Sequence, residues 1–196
     1  GFRGPDASGI SPESVGLARA WSATNPPPVT WSREVGEGYA GVAILDGCAY
    51  LLDYDRKTQS DVIRALSLED GAELWQYAYP VRVKRNHGMS RTVPAVSDSW
   101  VVTLGPKCHV VCVRRADGEL AWRRNLVRDY GTTVPPWYAG QCPLIDGDRV
   151  ILAPGGSNAL LVAVGAASGQ EVWRTPNTHQ WKMTHSSITP MEWRGR

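Results

Sequence analysis

Apolar runs separated by short polar turns recur along the chain, in the same order three times. Each unit begins with two runs joined by a tight turn: GVAILDGCAYLLDY, VPAVSDSWVVTL and CPLIDGDRVIL. The turns contain Asp46-Gly47, Asp98-Ser99 and Asp146-Gly147, and Asp-Gly between apolar runs is a strong signal for a β-hairpin. A third apolar run follows each hairpin. The pattern therefore predicts three consecutive strands per unit, which we name A, B and C.

A glycine turn and a tryptophan complete each unit, in DGAELW, DGELAW and SGQEVW. In each segment the glycine stands four residues before the tryptophan: Gly71 and Trp75, Gly118 and Trp122, Gly169 and Trp173. A small residue stands six positions before each glycine: Ala65, Cys112 or Ala163. The glycine predicts a turn, and the tryptophan predicts a fourth strand, D, whose indole packs between neighbouring sheets.

Tandem units of four short antiparallel strands are typical of β-propeller blades. The three tryptophans are separated by 47 and 51 residues. A single blade cannot bury both faces of its sheet, whereas stacked blades do so. An open sandwich of irregular strands would not require this spacing. We therefore predict an all-β fold, a β-propeller of four-stranded antiparallel blades with tryptophan docking motifs.

The predicted organisation is three complete blades with an orphan strand at each end. The blades cover 39–79, 91–126 and 138–176. The orphan strands are 29–35, around Trp31, which would complete the closing blade, and 184–193, which would begin the next one; 1–28 form an extension with one short helical turn at 11–21. Because propellers have about 4–8 blades, we expect residues 1–196 to be the N-terminal part of a longer propeller.

Composition narrows the function classes. Nine Trp against one Phe indicate a repeated structural role for tryptophan. A net charge of +2 argues against a dedicated nucleic-acid binder. No apolar run approaches the roughly 20 residues that a transmembrane helix needs. Cys108 and Cys112, on one strand, would be roughly 13 Å apart, too far for a disulfide. A metal site at these two cysteines would need a second pair of ligands, and the sequence has none at a familiar spacing. The simpler interpretation is that both cysteines are small buried residues.

The three closing segments, ALSLEDGAELW, CVRRADGELAW and AVGAASGQEVW, resemble the tryptophan docking motif of the pyrroloquinoline quinone (PQQ)-type β-propeller repeat proteins. This superfamily is shared by quinoprotein alcohol dehydrogenases and the assembly lipoprotein BamB. The stretches FRGPDASGIS and RNLVRDYGTTVPPWYAGQCPLIDGDRVILAPGG are similar to secreted bacterial members. The resemblance covers essentially the whole chain and implies a periplasmic or secreted protein.

The chain also departs from that pattern. Ser67, Arg114 and Gly165 replace the aspartate of the docking motif. The adjacent cysteine pair of many quinoprotein dehydrogenases is absent, and no set of Asn, Glu and Asp maps onto their calcium ligands. The dehydrogenase branch would imply PQQ and Ca²⁺ as cofactors, and the BamB branch would imply none.

Ligands of propellers usually meet the D-to-A and B-to-C loops, and the D-to-A loops of this chain are rich in basic, aromatic and imidazole side chains. We predict a ligand-binding face made of Arg82, Lys84, Arg85, His87, Arg91, Arg128, Trp137, Tyr138, His179, Trp181, Lys182 and His185. Such groups suit an anionic or planar ligand. The alternative is an ordinary solvated loop surface. We predict no catalytic residue and no metal ligand.

Two functions remain. The first is a non-catalytic binding or scaffold module of the bacterial envelope, with a protein or small molecule on the propeller face and the remaining blades as further partners. The second is a PQQ- and calcium-dependent alcohol or sugar dehydrogenase. A hydrolase has little support, because the adjacent His185 and Ser186 do not make a triad, which is defined by geometry.

Overall fold

The strands form three separate four-stranded antiparallel sheets, in a computed structural model that describes residues 4, 8–10, 16, 20–84 and 89–191. The first blade contains β1 (Ala43–Leu45), β2 (Cys48–Asp55), β3 (Ser60–Ser67) and β4 (Glu73–Pro80). The second contains β5 (Ala95–Val96), β6 (Trp100–Leu104), β7 (His109–Arg114) and β8 (Leu120–Asn125). The third contains β9 (Leu144–Asp146), β10 (Arg149–Leu152), β11 (Val162–Gly165) and β12 (Glu171–Arg174). The predicted all-β class and the three blades are confirmed.

The strands within each blade pair in chain order, as a meander. The first hairpin shows why the sequence folds this way. Asp46 and Gly47 both have positive φ, 49° and 70°, and join the paired residues Leu45 and Cys48. Positive φ at both central positions defines the type I′ turn, whose twist matches that of the flanking strands.

The second blade is buried on both faces. Val102 and Leu104 of β6 belong to a hydrophobic cluster shared with the third blade. Val101 of β6 belongs to a cluster shared with the first blade. The residues of β7 also alternate between the two clusters, and Val111 belongs to the one shared with the first blade. Because successive strand residues point to opposite faces, a nearly continuous apolar run serves two interfaces at once.

Each interface between blades contains a tryptophan from one blade and a glycine from the next. A Cβ on Gly118 would lie 2.5 Å from Cε3 of Trp75, and a Cβ on Gly169 would lie 2.6 Å from Cγ of Trp122. The indoles donate hydrogen bonds from Nε1 to the carbonyl oxygens of Arg115 (2.9 Å) and Ala166 (2.7 Å). The glycines have φ of 74° and 65°, a conformation that favours glycine independently of the close ring.

Trp31 makes the same contacts with the first blade. A Cβ on Gly71 would lie 2.6 Å from its Cε3, and its Nε1 donates to the carbonyl of Leu68 at 2.7 Å. Residues 29–35, however, do not form the predicted strand. A strand requires a hydrogen-bonded neighbour, and in this region only Glu37 forms a bridge, with Tyr54.

Two further predicted elements differ from the structure or lie largely outside its described residues, and one helix was not predicted. The predicted strand at 184–193 is absent in 184–191, where no described strand lies alongside to pair with it, and 192–193 lie outside the described residues. Most of the predicted helical turn at 11–21 also lies outside them. The second D-to-A loop contains an unpredicted helix, α1 (Leu126–Tyr130), which Asn125 caps by accepting hydrogen bonds from the amides of Val127 and Arg128.

Replacing Trp122 by alanine should destabilise the fold by about 3–5 kcal/mol, because the indole is enclosed between two blades. The matched control is Trp173→Ala. Trp173 occupies the equivalent position of the third blade but is 36% exposed, and its loss should cost less than about 1 kcal/mol. Urea denaturation followed by circular dichroism measures both. Equal losses would contradict the role assigned to the interface.

Gly118→Ala and Gly47→Ala separate backbone strain from crowding. Their φ angles are 74° and 70°, so the strain is nearly the same, but nothing lies within 4 Å of a Cβ at Gly47. Gly47→Ala should cost about 1 kcal/mol. Gly118→Ala should cost a further 1–3 kcal/mol, roughly, because the Trp75 ring must move. Urea denaturation midpoints, compared at equal dependence on denaturant concentration, measure the difference in stability between the two variants. Equal losses of stability would show that the Trp75 ring does not crowd a side chain at position 118.

Candidate functional site

One end of the three blades carries those predicted binding residues that the structure describes. Antiparallel strands place the B-to-C loops and the D-to-A loops at the same end of a blade. We call this end the loop face. It comprises B-to-C loops 56–59, 105–108 and 153–161, the described parts 81–84 and 89–94 of the first D-to-A loop, the second D-to-A loop 126–143, and the segment 175–187 that follows β12. Gly155 and Gly156 are part of the third B-to-C loop. Arg85 and His87 lie outside the described residues.

Tyr138 joins the first two D-to-A loops. Its hydroxyl accepts a hydrogen bond from the amide of Lys84 at 3.0 Å and donates one to the carbonyl of the same residue at 2.9 Å. The ammonium of Lys107 lies 5.1 Å from the centre of the Tyr138 ring, within range of a cation–π interaction. The tyrosine is buried. Tyr138 therefore connects the two loops beneath their basic side chains. Lys84 remains exposed at the edge of this basic surface.

His185 ties the last segment to the same point. Its Nε2 donates to the carbonyl of Tyr138 at 2.9 Å, since a carbonyl oxygen only accepts. Gly140 separates His185 from Arg91: a Cβ there would lie 3.0 Å from Cδ2 of His185 and 2.9 Å from Cδ of Arg91. Four of the predicted residues are thus brought together: Lys84, Arg91, Tyr138 and His185.

The segment after β12 presents exposed aromatic rings. Trp181 stacks on His179 with ring centres 5.0 Å apart and planes 22° apart. Asn177 fixes this turn, because its side chain accepts from the amide of Trp181 at 2.9 Å and donates to the carbonyl of Gly156 at 2.9 Å. Trp181 remains 59% exposed, and Trp137, on the neighbouring D-to-A loop, is 50% exposed.

The other predicted residues are not part of these groups. Arg82 and Lys182 are exposed on the loop face. Arg128 lies on α1 and lines a cavity between the first two blades. Among the residues that the structure describes, no three His, Cys, Asp or Glu side chains are placed to hold a metal ion, and all four cysteines are free.

A buried carboxyl group lies below the loop face, and sequence reasoning did not identify it. Asp61 is fully buried at a β3 position where the same face carries Ile63 and Ala65. Burial raises the pKa of Asp61 to about 7, although hydroxyl groups of Tyr79 and Ser90 oppose the shift. The Ser90 hydroxyl donates to Asp61 at 3.4 Å, which links the strand to the first D-to-A loop. The burial of Asp61 could not be predicted from the sequence, because a single aspartate in an apolar strand can equally face solvent.

The sequence profile of the family described as outer membrane protein assembly factor BamB matches residues 58–195. The chain belongs to this family. It is a PQQ-type propeller repeat protein. No curated protein sequence gives a significant match.

Solved structures share the fold of this BamB-family chain. BamB from Moraxella catarrhalis is 18% identical with a TM-score of 0.52, over 75% of this chain and 39% of that one. Quinohemoprotein alcohol dehydrogenase from Comamonas testosteroni is 17% identical with a TM-score of 0.51, over 71% and 21%. The computationally designed protein Ika4 is 12% identical with a TM-score of 0.54, over 85% and 88%. The chain thus spans well under half the length of the two natural proteins. Among the described residues, no helix has the length and apolar character to cross a bilayer.

Asp61 predicts a specific dependence of stability on pH. The folded state keeps a proton that the unfolded carboxyl releases near pH 4, so this stabilisation is complete below pH 4 and is lost as pH rises to about 7. Asp61→Asn should therefore gain about 2 kcal/mol relative to wild type between pH 5 and pH 8. Urea denaturation at both pH values measures the change.

The control for this experiment is Asp55→Asn. Asp55 belongs to the same blade, but hydrogen bonds from the amides of Lys57 and Thr58 lower its pKa. Its substitution should produce no change between pH 5 and pH 8. A pH-independent difference between Asp61→Asn and wild type would show that the buried carboxyl does not take up the proton.

Proposed function

We propose that this chain is part of a non-catalytic binding module of the bacterial envelope, which holds a protein segment against its loop face. The observation that carries the proposal is the exposure of Trp137 and Trp181 at one end of the blades, at 50% and 59%. Tryptophan, tyrosine and arginine are enriched among the residues that dominate protein–protein binding. An indole offers a large apolar surface and an N–H donor at little cost in conformational entropy.

The charges around these rings favour a partner segment that carries acidic groups. Arg82, Lys84 and Lys182 are exposed on the same face. Such a rim accelerates association and selects the partner more than it adds affinity. The family description, an assembly factor for outer membrane proteins, supports a polypeptide partner in a periplasmic location. The second partner that we propose is the set of remaining blades of the propeller. We propose no nucleic-acid partner.

A PQQ-dependent dehydrogenase is the alternative function, and the fold shared with the Comamonas enzyme favours it. Lys84, Arg91 and Lys107 could face the carboxylates of a quinone, but Tyr138 and His185 use their polar atoms to join loops. Among the described residues, no three Asp, Glu, His or Cys side chains are grouped to hold a cation. The use of Tyr138 and His185 as loop contacts supports the binding module more than the dehydrogenase.

Photo-crosslinking of the full-length protein in its native host tests the binding module. A photoreactive benzoylphenylalanine replaces Trp137 or Trp181, and in the control it replaces Asp148, an exposed residue at the opposite end of the third blade. We expect the first two positions to yield the same envelope polypeptide by mass spectrometry and the control to yield none. Equal products from all three positions, or none from either tryptophan position, would contradict the proposal.

The same protein incubated with PQQ and Ca²⁺ tests the alternative. A shift in quinone absorbance together with reduction of an artificial dye by alcohols would overturn the non-catalytic assignment. No shift and no dye reduction are the expected results.

A further inference from the structure

A cavity of about 190 Å³ lies between the first and second blades, at the end nearest the loop face. Its walls come from the last residues of β4, from β7, from the end of β8 and from α1. They are Tyr79, Pro80, His109, Val111, Arg123, Arg124, Asn125 and Arg128. The volume is below the 300–1,000 Å³, roughly, of pockets for drug-sized ligands, so a compact ligand is the suitable occupant.

Positive charge dominates this cavity. Three of its lining residues are arginines, and two of them pair with one carboxylate, that of Asp129. Asp129 lies 2.8 Å from Nε of Arg128 and 3.9 Å from Arg124, whose Nε donates to the carbonyl of Gly169 at 2.6 Å. Arg123 forms no ion pair with any described residue, so its guanidinium donors are available to a ligand.

His109 adds a neutral polar group to the wall. Its Nε2 lies 3.3 Å from the side-chain nitrogen of Asn125, whose oxygen caps α1. An amide nitrogen only donates, so Nε2 accepts and the imidazole proton sits on Nδ1. Nδ1 is buried and has no hydrogen-bond partner among the described residues. Burial and the nearby Arg123 lower the pKa of His109, which keeps the imidazole neutral.

We propose that this cavity binds a phosphoryl group, either as inorganic phosphate or as the head of a small phosphate monoester. Guanidinium groups bind phosphate oxygens through paired, charge-assisted hydrogen bonds. Arg123 offers such a pair of donors, and Arg124 and Arg128, which share the one carboxylate of Asp129, add a net positive charge beside it. The Tyr79 ring, Pro80 and Val111 supply an apolar wall for the organic part of an ester. The site is separate from the exposed rings of the loop face that carry the proposed function.

Isothermal titration calorimetry of the full-length protein with inorganic phosphate and with phenyl phosphate tests this site. We expect Arg123→Gln and Arg128→Gln each to weaken binding about tenfold or more, because each removes a charged hydrogen-bond donor. The control is Arg149→Gln, an exposed arginine of the third blade outside the cavity, which should bind as wild type. Thermal melts confirm that each variant is folded.

The two titrants distinguish the sources of the phosphoryl group. Tighter binding of phenyl phosphate indicates an ester that uses the apolar wall, and equal binding indicates inorganic phosphate. Either result supports the site. Absence of heat from both titrants at millimolar concentration would overturn it, and so would an equal loss of affinity in Arg149→Gln, because that loss would reflect overall charge alone.

Discussion

A four-stranded blade exposes two apolar faces and can bury them only against its neighbours. The contact between an indole and the backbone of a glycine meets this requirement in each interface that the structure describes. The glycine has no Cβ, so the ring lies directly on the turn. The indole N–H donates to the carbonyl oxygen of the residue three positions before the glycine, as Trp75 does to Arg115, which precedes Gly118. One contact thereby sets the spacing of the sheets and satisfies a turn carbonyl. The strands between these contacts need only alternate side chains of suitable size.

The loop face depends on this spacing. Tyr138 reaches Lys84 across two successive D-to-A loops, and His185 reaches Tyr138 from a third segment. Hydrogen bonds of this length require the blades that carry the loops to be fixed within a fraction of an ångström. The exposed tryptophans consequently stand on a rigid base. Preorganised aromatic surfaces lose less entropy on binding than mobile loops do.

The repeat made the architecture predictable, because glycine turns and strand alternation are local properties of the sequence. The contacts of Gly118 with Trp75 join residues 43 positions apart in two blades, yet the period indicates them. The orphan strands at 29–35 and 184–193 stay a prediction: the described residues there form no strand, because a strand is defined by its neighbour. Asp61 and the arginine cavity were missed for a related reason. Both lie where the ends of β3, β4, β7 and β8 meet. The sequence around a single aspartate or arginine does not indicate which distant strand ends will pack against it.

Trp31 also has a consequence for self-association. Stacking of identical chains end to end would require Trp173 of one copy to lie on Gly71 of the next, which is a heterologous contact that propagates into a filament. Trp31 already occupies Gly71, and a second ring cannot enter the same space. Trp31 therefore fills the docking position of the first blade with a residue of the same chain, and any other tryptophan brought to Gly71 would clash with its ring.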